Sequence, residues 1–132
     1  MMSKPVTILA LVAGLLLLCS PSFAHHGVNS EYDSSHPISL KGTVTEYAFS
    51  NPHIQIYFDV KDAHGQIVRW GCEGPSPGRL IRDGWPRNAT KPGDQITITL
   101  DPARSGSPVG ALRKIVLPDG KVLSVAPLVP QK

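Results

Sequence analysis

Five histidines stand among 132 residues: His25, His26, His36, His53 and His64. Two of them follow directly on Ser22-Phe23-Ala24, which puts small residues at the −3 and −1 positions of a signal-peptidase site. Cleavage after Ala24 makes His25 the first residue of the mature chain. An N-terminal histidine is a chelator, because its α-amine and its imidazole Nδ1 close one ring on a metal. The reference pKa values are about 7.7–8.0 for the amine and about 6.5 for the imidazole, so both shed protons near neutral pH. Nitrogen donors of this kind suit Cu(II), which tops the divalent affinity order. A third imidazole completes a T-shaped histidine brace. His26 at position two offers another mode, in which amine, backbone amide and its own imidazole share a plane. His53 is the expected third ligand: it immediately precedes the best strand, shares the parity of Gln55 and Tyr57, and so points to the polar face. The expected metal ligands are therefore His25, His26 and His53, with copper as the metal.

A plainer reading stands beside this one. The junction histidines are solvated, and His53 only hydrogen-bonds the arm or a loop at the rim of the fold. His36 lies within the arm and His64 in a hairpin turn, so both are weaker candidates. Cys72 shares a face with Val68 and Trp70, where a free cysteine is normally an inert core residue and less often a copper(I) ligand. Glu31, Asp33 and Glu46 read as surface charges or as acceptors for imidazole N–H groups. Trp70 and Trp85 read as packing, with Trp85 after Gly84 as a possible pocket wall. Catalytic signatures are missing: no G-x-S-x-G, no glycine-rich phosphate loop before a helix and no H-E-x-x-H occurs. Strand parity separates Cys72 from the polar-face histidines, which argues against a cysteine–histidine nucleophile. Asn88-Ala89-Thr90 matches a glycosylation sequon, meaningful only in a eukaryotic secretory pathway.

These residues must be positioned by something. Residues 1–24 read as a signal peptide, with Lys4 as its positive region and Val6–Leu18 as its apolar run. That run falls short of the about 20 residues a membrane-spanning helix needs. Cys19 at its end raises lipidation as an alternative, although Leu18 is a poor residue to precede a lipidated cysteine. Residues 25–37 are polar and unperiodic and read as an extended arm. Residues 38–125 carry the folded domain, and 126–132 a loose tail.

Within the domain, Ile38–Phe49 alternates, with Leu40, Val44 and Ala48 on one face, Tyr47 on the other, and Gly42 as a bulge or bend. Ile54–Val60 is the cleanest strand, Asp62–Gly65 a hairpin turn, and Ile67–Glu73 its partner strand. Gly74–Gly78 reads as a loop and Arg79–Asp83 as one or two helical turns. Gln95–Leu100, Val109–Leu117 and Lys121–Val125 are further strands. Three strands, a short helix and two or three strands make the order of an OB-like Greek-key barrel of five to six strands. An open β-sandwich is the alternative. The expected interior is Ile54, Ile56, Phe58, Val60, Ile96, Ile98 and Leu100. With 12 glycines and 13 prolines, the chain is too punctuated for a coiled coil, and its formal charge of +3 is weak for a nucleic-acid binder.

The motifs His25-His26-Gly27, Glu31-Tyr32-Asp33, Gly42-Thr43-Val44, Asn51-Pro52-His53, Gly84-Trp85 and Lys91-Pro92-Gly93-Asp94 resemble those of a family of small exported bacterial proteins of unknown function. The resemblance covers nearly the whole chain after the signal segment. It implies an exported, single-domain, β-rich protein and brings no activity.

The function expected from these residues is a small periplasmic or secreted metal-binding protein, Cu(II) being held through the N-terminal histidine. The alternative is a non-catalytic binding module without metal, using an exposed groove near Trp85 and Tyr57 for a periplasmic protein or small ligand. A metalloenzyme would need an open coordination position and a substrate cleft, for which the chain leaves little room. No nucleic-acid partner and no stable membrane insertion after cleavage are expected.

Overall fold

The structure, a computed structural model, describes residues 31–126. The expected signal segment 1–24, His25, His26 and the tail beyond Ala126 lie outside the described residues. Among the described residues the elements from Ile38 onward are, in order, β1 (Ile38–Ala48), β2 (Gln55–Lys61), β3 (Ile67–Glu73), α1 (Pro77–Arg82), β4 (Gln95–Pro102), β5 (Val109–Val116) and β6 (Val122–Ser124). The sheet order is β3-β2-β1-β4-β5-β6, and β3 also pairs with β5 in parallel through Gly71–Val109, Cys72–Gly110 and Glu73–Ala111. That last pairing closes five strands into an OB-like barrel and excludes the open sandwich. β6 is an added strand on β5.

Period-two patterning explains why these segments are strands. Ile54, Ile56, Phe58, Ile98 and Leu100 are wholly buried, Ile96 nearly so, and Val60 packs partly buried against them. Burying each such side chain contributes roughly 1.5–3 kcal/mol. The β2–β3 turn forms because the Asp62 carboxylate accepts from the backbone N–H groups of His64 and Gln66, while Gly65 takes a positive φ of 77°.

β1 serves two neighbours. Ile38–Thr43 pairs with β4 and Thr43–Ala48 with β2, so the strand must bend between them. Gly42 sits at that bend, where a Cβ would come within 2.6 Å of the Asp59 carbonyl oxygen. The bulge itself falls elsewhere. Val44 pairs with Phe58 but Glu46 with Tyr57, leaving Thr45 as the extra residue. One inserted residue reverses the parity beyond it. Tyr47 therefore lies opposite Ile56 and packs against the core, and Ala48 lies opposite Gln55 on the outer face, the reverse of the expected assignment.

The helix also differs from the expectation. It starts at Pro77, two residues earlier, because Ser76 caps it: its Oγ accepts from Arg79 N at 3.4 Å, and proline suits the first helical position. A Ser-Pro pair inside a Gly-Pro-rich run reads as loop by composition but here opens a helix. Leu80 plugs the barrel with no exposure. Trp85 packs in the core, as its first reading has it, 3% exposed and with Nε1 donating to the Ser124 carbonyl at 2.9 Å, so it is not the wall of an exposed groove.

Candidate functional site

The site lies on the outer face of the β2–β3 hairpin. Ile54 points inward, so His53 points out, and the Ile54 backbone is fixed by bonds with Pro75 and Gly74. On the same outer face Gln55 stands opposite Glu73, and Tyr57 opposite Gly71. His53 Nδ1 donates to Glu73 Oε1, with both side chains part-exposed. An ionised carboxylate only accepts, so the proton is assigned to Nδ1 and Nε2 is left as the free nitrogen. This is the pairing by which carboxylates orient metal-binding imidazoles. Glu73 was not among the carboxylates the sequence singled out. Counting the pairs back from the Asp62–Gly65 turn would have placed it opposite Gln55, one step from His53.

The arm reaches the same region. Tyr32 bridges to Ala103, Asp33 N donates to the Pro102 carbonyl at 2.8 Å, Arg104 N donates to the Glu31 carbonyl at 2.9 Å, and Arg113 donates to the Ser34 carbonyl at 2.7 Å. Residues 31–34 are docked on the barrel by these bonds and are not a simple extended arm, since Glu31 is helical and Ser34 lies in a turn. Tyr32, one of the large side chains of the arm, is nearly buried. Between the arm and strands β2, β3 and β5 lies a cleft of about 240 Å³, with Glu31, Tyr32, Gln55, Tyr57 and Glu73 around it and Gly71 at its floor. The region is electronegative. Burial first, and then the charges of Glu31 and Glu73, raise the Tyr32 phenol above its ordinary pKa. The exposed groove expected near Trp85 and Tyr57 therefore exists at Tyr57 only.

The other candidates are elsewhere. His36 Nδ1 donates to the Asp33 carboxylate at 2.9 Å, and that bond leads the effects lowering the Asp33 pKa. His64 is exposed in the hairpin turn. Glu46 is exposed on β1 opposite Tyr57 and is not a wall of the cleft. Cys72 lies on the inner face with no exposure, and burial pushes its thiol pKa well up, which leaves a soft metal no access to it. Among the described residues no three His, Cys, Asp or Glu side chains converge as a metal site. Among the described residues no helix is long and apolar enough to cross a membrane.

Among solved structures the fold is similar to that of the mitochondrial single-stranded DNA binding protein Rim1 of S. cerevisiae. The two share 13% identity at a TM-score of 0.46, and the match covers 62% of this chain and 93% of that one. No curated protein matches the chain. A family model described as a family of unknown function (DUF6152) matches residues 12–113, and the chain belongs to that family.

Proposed function

We propose that the protein is exported to the periplasm, loses residues 1–24, and binds one Cu(II) through the amine and imidazole of His25, with His53 or His26 as a further ligand. The observation that carries this reading is the meeting of two segments far apart in sequence. The arm is held down at Glu31–Ser34 beside Glu73, and Glu73 holds His53 by Nδ1 with Nε2 free. Glu31 stands six positions after His25, a stretch that spans at most roughly 20 Å. The terminal chelate is then within range of the His53 imidazole. Glu73 fixes the ring of His53, and the role is binding without catalysis.

N-terminal sequencing of the exported protein tests the premise, with His25 expected as residue one. His53→Ala should weaken copper binding while leaving the terminal chelate, and Glu73→Gln should weaken it less. Loss of copper binding as pH falls through about 6 is expected, since amine and imidazole must be deprotonated to ligate. A mature terminus other than His25, or copper affinity unchanged by His53→Ala and Glu73→Gln together, would leave the non-catalytic binding module as the better account. The cleft beside Tyr57 favours that second reading independently.

A further inference from the structure

Three glycines sit inside strands, and two of them are demanded by packing. A Cβ on Gly42 would fall 2.6 Å from the Asp59 carbonyl oxygen, and one on Gly110 would fall 2.5 Å from Leu100 Cδ1. Gly71 is different. A Cβ there would meet Tyr57 Cε1 at 3.4 Å and Val109 Cγ1 at 3.5 Å, which is ordinary van der Waals contact. Its φ is not in the left-handed region either. Glycine inside a strand weakens it and often marks the close approach of a ligand. What the missing side chain does at Gly71 is leave open the floor of the cleft between Tyr57 and Val109.

The walls say what fits. Glu31 and Glu73 bring two carboxylates, Gln55 an amide, and Tyr32 and Tyr57 two aromatic rings, and no lysine or arginine lines the space. Glu73 has a second oxygen beyond the one that takes His53 Nδ1, so it can still accept. Tyr32 is 9% exposed, so its ring is a fixed wall of the cleft. Carboxylates with aromatic faces attract organic cations and repel phosphates. At about 240 Å³ the space is below the range of roughly 300–1,000 Å³ for drug-sized ligands, which limits it to a small group. Since no three metal-ligating side chains converge among the described residues, a bare ion is poorly served. We infer that the cleft between the arm and the β2–β3–β5 face binds a small organic cation, an alkylammonium or alkylguanidinium group, with Gly71 kept free of a side chain to admit it. The inference does not rest on copper binding.

The test is an NMR titration at low salt with n-butylammonium, n-butylguanidinium and neutral n-butanol. Both cations should give saturable shifts at the amides of Gln55, Tyr57 and Gly71, and n-butanol should give none. Gly71→Ala should fold with an unfolding midpoint no lower than the parent and bind the cations about ten-fold more weakly, because the added methyl occupies the floor. Glu31→Gln should weaken binding by a similar factor. A blocked peptide with a single lysine distinguishes the source of the cation: tighter binding than n-butylammonium assigns it to a protein side chain, and equal or weaker binding to a free amine. A protein carrying one extra residue before His25 should keep cation binding whatever happens to copper. No saturable response, n-butanol matching the cations, or both variants binding like the parent would overturn the inference.

Discussion

Along β2, Ile56 and Phe58 have no exposed surface, while Gln55 and Tyr57, one position away on the same strand, line an open acidic cleft. Across the hairpin the contrast repeats: Cys72 is sealed in the core, and its neighbours Gly71 and Glu73 face the cleft. The two faces share backbone, register and hydrogen bonds, so what separates them is only the alternation of side chains. On the inner face, shape and burial determine each residue. On the outer face, packing asks for very little, and residues that it does not require are candidates for binding.

The largest effect should come from the inner face. Phe58→Ala is expected to cost about 3–5 kcal/mol, measured by denaturant unfolding, because it opens a cavity in the buried core where Phe58 stands opposite Val44 and Trp70. Cys72→Ser comes next. It puts a hydroxyl where nothing is placed to receive it, at a cost of about 1–3 kcal/mol. The same burial predicts a thiol that resists alkylation until the protein unfolds.

Tyr47 sharpens the comparison because it violates it. It lies on the inner face, yet its hydroxyl is buried and has no hydrogen-bond partner among the described residues. Tyr47→Phe should therefore raise stability by about 1 kcal/mol. Burial also pushes the Tyr47 phenol up to about 12 from an ordinary 10.0. Its folded pKa is thus above its unfolded one, so its contribution is complete below about pH 10 and is lost as the pH rises toward 12. The Phe variant should lose less stability over that interval, as read by unfolding at a series of alkaline pH values.

The smallest effects belong to the outer face. Gln55→Ala should change stability by less than about 0.5 kcal/mol. Gly71→Ala should change it by no more, or raise it slightly, since alanine is easier to order in a strand. A loss of 2 kcal/mol or more in either would erase the distinction between the faces.

The same division explains what could be read from the sequence. The strands, the hairpin turn and the closed barrel were legible, because Ile54–Val60 and Gln95–Leu100 alternate and the turn residues punctuate them. The outward direction of His53 followed from the same parity. The bulge at Thr45 was not legible: no residue type marks it, and a one-residue insertion reverses Tyr47 and Ala48 together. The docking of the arm was hidden too, since it depends on backbone bonds to Pro102, Ala103 and Arg104 rather than on a periodic pattern. Glu73 as the partner of His53 needed the hairpin register, which lies in pairs of residues rather than in either residue alone.

The central proposal is that copper is held by a mature terminus at His25 together with an imidazole of the folded chain. The most direct measurement is a spectroscopic Cu(II) titration of two proteins, one with a verified His25 terminus and one with a single extra residue before it. The account predicts one tightly bound Cu(II) in the first and a marked loss of affinity in the second, because the added residue moves the amine away from the His25 imidazole. Equal affinity in both, or binding in neither, would contradict it.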